Sequence, residues 1–233
     1  QRVSSINSIS ALCEVTGADI EEVASVIGTD SRIGPKFLRA SVGFGGSCFQ
    51  KDLLSLIYIS ESYGLTEVAA YWQQVVDLNQ WQKHRFADQI AAPIATAEGS
   101  LRGRRIAILG FAFKKDTNDV RETPAIDVCR RLLARGATLA VHDYKVTPDS
   151  VASEIGTQGV EVAATPEAAL AGADGVAVLT EWSAYAKLDW ARLAGMLKAG
   201  AVIYDGRNIV DAEAVRRAGL TLRSIGKGGQ FNT

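Results

Sequence analysis

Apolar residues recur in two rhythms along the 233-residue chain, and the change between them divides it. Over the first hundred residues they return every three or four positions, as on one face of a helix. Val3, Ile6, Ile9 and Leu12-Cys13 predict a helix over residues 1–15 that ends near Gly17. Asp19, with Glu21 and Glu22 behind it, predicts an N-cap and acidic first turn for a second helix ending at Gly28. Phe49, Leu53, Leu56, Ile57 and Ser60 predict a third, stopping near Gly64. Thr66 is placed to cap a fourth, with Val68, Trp72, Val75, Asn79, Phe86 and Ile90 on one stripe, ending by Pro93 and Gly99. At about 25 residues it would run about 40 Å, as a spine within one subunit or a helix that packs on a second copy. Residues 29–47 are rich in Gly, Ser, Arg and Lys and too long for a mere connector.

Past Arg102-Gly103-Arg104 the pattern shortens. Apolar runs at 105–110, 138–141, 160–162, 176–180, 201–204 and 220–225 read as buried strands. Helical patterns at 124–135, 166–171, 189–198 and 211–218 separate them. The expected architecture is α/β: a helical central segment, 1–99, then a doubly wound, Rossmann-like parallel-sheet domain, 100–233.

Hydrophobic content of 47% and charged content of 22% are ordinary for a globular protein. A net charge of −1 gives no electrostatic case for nucleic acid or an anionic membrane. No apolar stretch approaches the ~20 residues of a bilayer span. Three cysteines, an odd number without framework spacing, suit a reducing compartment such as the cytoplasm. There is no signal-peptide pattern, and Gln1 opens mid-helix, so the N-terminus is expected to lie outside this sequence.

The chemistry gathers in Ser41-Val42-Gly43-Phe44-Gly45-Gly46-Ser47-Cys48-Phe49-Gln50-Lys51-Asp52. Its glycines would let backbone amides approach a polar ligand closely. Cys48 is expected in the first turn of the third helix, where free N–H groups favour a thiolate. Lys51 would favour it too and Asp52 oppose it; a carboxylate one turn from a thiol suits a group that positions or deprotonates water. The residues alone leave Cys48 open between nucleophile and small buried hydrophobe, the role expected of Cys13 and Cys129. The loop at 111–123, with Lys114, Lys115 and Arg121, suits phosphate oxygens but is not GxGxxG, so it predicts no second dinucleotide site. Arg207, after a strand end, fits a carboxylate or phosphate, or is an ordinary surface arginine. Trp182 could stack on a base or pack at a strand end. His84 reads as a solvated helix residue, and with His142 it makes no metal site.

The run from Phe44 to Asp52, preceded by Phe37-Leu38-Arg39-Ala40-Ser41-Val42, resembles the active-site segment of the UDP-glucose 6-dehydrogenases of the UDP-glucose/GDP-mannose dehydrogenase family. Gly110-Phe111-Ala112-Phe113-Lys114-Lys115-Asp116-Thr117, Asp205-Gly206-Arg207 and Ser4-Ser5-Ile6-Asn7 agree with it, so the resemblance spans nearly the whole chain. It implies NAD-dependent, four-electron oxidation of UDP-glucose to UDP-glucuronate through a thiohemiacetal and thioester on Cys48, with Asp52 orienting water. By the same resemblance, Cys48, Lys51 and Arg121 face NAD. Arg32, Phe37, Arg39, Ser41, Val42, Gly43, Phe44, Gly45, Phe113, Lys114 and Arg207 face UDP-glucose, with backbone amides of 39–45 draped over it. Arg32 would enter a neighbouring subunit's site in a homo-oligomer, a dimer or hexamer. Arg39 stands where relatives can carry lysine. Phe49-Gln50, where many sister enzymes carry Leu-Pro, disfavours GDP-mannose or a UDP-N-acetylhexosamine as substrate. A non-catalytic nucleotide-sugar-binding or assembly fragment is the other alternative. The family's N-terminal dinucleotide-binding domain, and a lysine and asparagine expected just before Gln1, are not in this sequence, so the chain alone is expected to be inactive.

Overall fold

The computed structural model describes residues 1–228. Four helices come first: α1 (Arg2–Thr16), α2 (Ile20–Thr29), α3 (Phe49–Ser62) and α4 (Thr66–Ala91). α1 stops where Gly17 takes φ 85°, a left-handed cap open to glycine. Asp19 caps α2 as expected, accepting the Glu21 N–H. Gly28 does not end α2, because one glycine weakens a helix without breaking it. Thr66 is no cap: it is the first residue of α4, and the N-cap Leu65 has no side-chain acceptor to offer. The 26 residues of α4 bury Val75, Phe86, Ala87 and Ile90, so this helix is a spine within the chain.

Six strands form one sheet: β1 (Arg105–Leu109), β2 (Thr138–His142), β3 (Val160–Val162), β4 (Gly175–Val178), β5 (Val202–Asp205) and β6 (Thr221–Ser224). Their order is β3-β2-β1-β4-β5-β6, with every pairing parallel. Parallel neighbours need crossovers. These are α5 (Pro124–Ala134), α6 (Pro148–Ile155), α7 (Pro166–Leu170), α8 (Trp190–Leu193) and α9 (Ala212–Arg217). The sequence pattern did not predict α6: its eight residues bury only Val151, too little for an apolar stripe. The helix expected at 189–198 is α8 followed by a short 3₁₀ turn, Ala194–Met196, which contains Gly195.

Alternation along the strands sorts the core into two faces. Ile106 and Ile108 pack with Leu139, Val141 and Phe86, while Ala107 and Leu109 pack with Val176, Val178 and Trp190. Each valine, leucine or isoleucine side chain buried this way contributes about 1.5–3 kcal/mol. The first cluster crosses residue 100, joining Ile6, Ile20 and Ile90 to the sheet, and it holds both Cys13 and Cys129. Near the chain's end, Gly226 N–H donates to the Glu14 carboxylate at 2.8 Å and Lys227 pairs with Asp19 at 2.7 Å and with Glu21. No helix among the described residues is long and apolar enough to cross a membrane.

Candidate functional site

Three loops meet at the start of α3. Cys48 is the N-cap of that helix rather than a member of its first turn, and no side chain caps it, so the first N–H groups stay open. The thiol is exposed, with Sγ 3.7 Å from Ser47 Oγ. Asp52 N–H donates to the Cys48 carbonyl at 2.8 Å, which fixes the carboxylate one turn behind the sulfur.

The glycines ahead of Cys48 bring one loop against another. A Cβ on Gly45 would collide with the Glu122 carbonyl oxygen, and one on Gly46 would press the Phe113 ring at 3.0 Å. The backbone amides follow suit. Ser41 N–H donates to Asn7 Oδ1 at 2.8 Å and Phe44 N–H to Asn79 Oδ1 at 2.9 Å. Val42 N–H donates to the Gly206 carbonyl and Gly46 N–H to the Arg121 carbonyl, both at 2.9 Å. The sequence reading has these amides facing a ligand; the structure aims five of them at protein acceptors, the fifth being the Gly43 N–H on Ser41 Oγ at 3.4 Å.

The second loop follows β1, at the switch point between β1 and β4 where doubly wound sheets open a crevice. Here the loops after the two strands come into direct contact. Thr180 Oγ1 donates to the Ala112 carbonyl at 2.6 Å, and a Cβ on Gly110 would collide with Thr180. Asp143 Oδ2 accepts from Phe111 N–H (2.7 Å), Ala112 N–H (3.0 Å) and the Trp182 indole (3.2 Å). Trp182 is therefore buried packing rather than a base platform. Further along, Lys114 stays exposed, its Nζ 5.3 Å from the Phe113 ring centre. Arg121 pairs with Asp119 at 2.7 Å. That bond, with the nearby Cys48 sulfur adding to it, holds Arg121 above its usual pKa, and it pulls Asp119 below the carboxylate range.

The third loop follows β5. Asp205 is wholly buried and accepts the N–H groups of Arg207 (3.0 Å), Ile209 (2.8 Å) and Val210 (2.7 Å). Burial pushes its carboxyl up while those amides oppose the shift. Arg207 is no ordinary surface arginine: Nε donates to the Leu179 carbonyl at 2.7 Å and Nη2 to the Phe113 carbonyl at 3.0 Å. Burial pulls its pKa down, Glu181 at 3.5 Å and Asp205 work against that, and Arg39 adds repulsion.

Phe37, Asp116, Glu122 and Asn208 are the four non-glycine residues with positive φ among the described residues, and all lie in these three loops. Backbone held this way costs about 1–3 kcal/mol per residue and clusters at ligand sites.

α3 runs as a ridge between two clefts. Lys51 and Arg121 line one of about 950 Å³, with Asp127 and Arg130. Asp52 lines the other, about 350 Å³ and apolar, with Phe37, Phe44, Phe49 and Leu53. Adjacent residues 51 and 52 thus serve opposite sides. Arg32 stands apart, exposed and paired with Asp30 at 2.6 Å, beside a groove between α1 and α2. His84 is half-buried, bonded to Gln80 on the face of α4, and His142 is buried against the Tyr185 hydroxyl. Among the described residues no three His, Cys, Asp or Glu side chains gather for a metal. Sequence reasoning missed Glu181 beside Arg207 and the role of Asn79, which stood in plain view as a polar member of an apolar stripe.

The central-domain model of the UDP-glucose/GDP-mannose dehydrogenase family matches residues 1–81, and the UDP binding domain of the same family matches residues 107–212. UDP-glucose 6-dehydrogenase 1 of Oryza sativa subsp. japonica is 48% identical over 97% of this chain and 50% of its own length. The UDP-glucose 6-dehydrogenase of Drosophila melanogaster is 48% identical over 97% of this chain and 49% of its own. A UDP-glucose dehydrogenase structure from the hyperthermophilic archaeon Pyrobaculum islandicum is similar with a TM-score of 0.80 and 34% identity, covering 97% of this chain and 48% of that one. The chain spans about half the length of the curated relatives it matches.

Proposed function

This chain belongs to the UDP-glucose/GDP-mannose dehydrogenase family, and from that premise we propose that it carries the thiol and the nucleotide-sugar surface of an NAD-dependent UDP-glucose 6-dehydrogenase. Residues 1–99 form the central helical segment with the thiol loop and 100–233 the nucleotide-sugar domain. The observation that carries this reading is the close seating of Gly45 and Gly46 on Glu122 and Phe113, with the Gly46 N–H on the Arg121 carbonyl at 2.9 Å two residues before Cys48.

Arg39, Lys114 and Arg207 bind the UDP-glucose diphosphate, and Phe37, Ser41, Val42, Gly43, Phe44, Gly45 and Phe113 wall the substrate. Lys51 and Arg121, cations on the larger cleft, suit the NAD pyrophosphate. When bound, NAD accepts one hydride in each of two oxidations. Cys48 Sγ adds to the C6 aldehyde left by the first, forming a C–S bond and a thiohemiacetal. Loss of the second hydride from that carbon leaves a thioester on Cys48. Water oriented by Asp52 attacks the acyl carbon, the C–S bond breaks, and the thiol leaves with UDP-glucuronate formed. Arg32, exposed on the groove between α1 and α2 and away from the two clefts beside α3, reaches a neighbouring subunit in a homo-oligomer, a dimer or hexamer. Three free cysteines suit the cytoplasm.

Calorimetry on the chain tests this: UDP-glucose should bind more tightly than UDP-N-acetylglucosamine or GDP-mannose and should protect Cys48 from iodoacetamide. Tighter binding of GDP-mannose would move the chain to a sister dehydrogenase, and no binding to the folded chain would end the reading. The chain by itself should generate no NADH from UDP-glucose and NAD.

A further inference from the structure

We propose that Asn79 is a positioning residue for the thiol, holding the Cys48 loop through the backbone of Phe44; this rests on reading Cys48 as the reacting group. Residues 41–46 adopt no regular structure, so their shape is imposed from outside. Asn79 sits buried on α4, facing them. Its Oδ1 accepts the Phe44 N–H at 2.9 Å and its Nδ2 donates to the Phe44 carbonyl at 3.1 Å. One side chain thus satisfies both backbone polar groups of one residue, a pairing that only a primary amide in this orientation completes. Other anchors are single: Asn7 takes the Ser41 N–H, and Gln82 donates to the Ser41 carbonyl.

From Phe44 the constraint passes onward. Its ring meets Phe49 edge to face at 6.0 Å, and Phe49 is the first residue of α3, next to Cys48. Gly43 makes room for the clamp, since a Cβ there would stand 3.0 Å from Asn79 Oδ1. Asn79 lines neither cleft, so it acts through the loop and not on a ligand.

Asn79→Asp tests the clamp, because it keeps the shape but sets an acceptor against the Phe44 carbonyl. Ile90→Val, a buried change later on the same helix, is the control for general loosening. Hydrogen exchange at 41–46 should rise about tenfold in Asn79→Asp over the control, the loss of one well-made hydrogen bond to a buried group. In the active enzyme kcat should fall about tenfold, with KM for UDP-glucose changing less than about threefold. Exchange no faster than in Ile90→Val overturns the proposal, as does faster exchange with kcat at the parent value. If Asn79→Asp does not fold, Asn79→Ser, which cannot span both groups, carries the same readouts. If the full-length parent enzyme, with its dinucleotide-binding domain, oxidises no nucleotide sugar, the dehydrogenase reading fails on its own. The rate of Cys48 alkylation by iodoacetamide then replaces kcat, and equal rates in parent and Asn79→Asp overturn the clamp.

Discussion

α3 and α5 both open from loops of the candidate site, and they are built in opposite ways. α5 begins at Thr123, whose side chain accepts the Ala125 N–H, with Pro124 in the first turn where an N–H is not needed. Six of its eleven residues are buried. Ion pairs tie it to α4: Lys83 with Asp127 at 2.8 Å, and Asp88 with Arg131 and Arg135 at 2.7 and 2.6 Å. α3 begins at Cys48 with no capping side chain, and of its fourteen residues only Ile57 and Ser60 are buried. Tyr58 is 72% and Ile59 51% exposed. A framework helix satisfies its ends and hides its stripe. α3 leaves its first turn uncapped and its stripe largely exposed, and its position comes from α4 beneath it and from the anchors of the loop before it.

The largest expected effect separates the two helices by burial. Leu132→Ala in α5 removes a side chain with no exposed surface and should cost about 2–5 kcal/mol in urea unfolding. Leu54→Ala in α3, where the side chain is 46% exposed, should stay within about 0.5 kcal/mol. A cost above about 2 kcal/mol for Leu54→Ala that grows with protein concentration would mean a second copy covers α3.

The same contrast explains what the sequence could tell. Parallel strands buried on both faces read as plain apolar runs, so the sheet was legible. α6 was not, because a short crossover needs little apolar surface of its own. The types of residue around Cys48 were legible, but not where its loop amides point: a glycine looks the same whether a ligand or the Glu122 carbonyl comes close. Arg207 hid for a related reason, since its acceptors are backbone carbonyls 28 and 94 residues away, at Leu179 and Phe113.

Acid should weaken the framework next. Burial works against the charge on Asp19, but bonds from Lys227 and from the Glu21 and Glu22 amides outweigh it, so its carboxyl lies below the usual range. Asp174, partly desolvated, is likewise held down by Lys198, Arg104 and the Arg105 amide. For such groups the folded state prefers the ionised form. Their stabilisation is full above the unfolded value of about 3.9 and is lost as pH falls through the folded value. The Asp19 clasp is partly exposed and screened, so its share is about 1 kcal/mol or less. Urea midpoints below about pH 4 should therefore fall less steeply in Lys227→Met than in the parent. An unchanged acid slope would remove the clasp from the framework.

The smallest expected effect bears most directly on the thiol. Thr123→Ala deletes a capping acceptor from α5 and should cost about 0.5–1 kcal/mol. Cys48→Ala deletes nothing from α3 that holds the helix together, since no side-chain cap bond is made there and the thiol is exposed. It should therefore change stability by less than about 0.3 kcal/mol. The same substitution should abolish labelling by iodoacetamide at pH 8. Cys13 and Cys129 should stay silent: both are buried, burial pushes both thiols up, and Asp19 and Glu14 add to the effect at Cys13. Intact mass would then show a single adduct on the parent and none on Cys48→Ala. If Cys48→Ala instead cost as much as Thr123→Ala, the sulfur would be packing like the other two, and α3 would be a framework helix with an unusual first residue. If stability holds while the adduct vanishes, the start of α3 is kept open for chemistry that its own fold does not need.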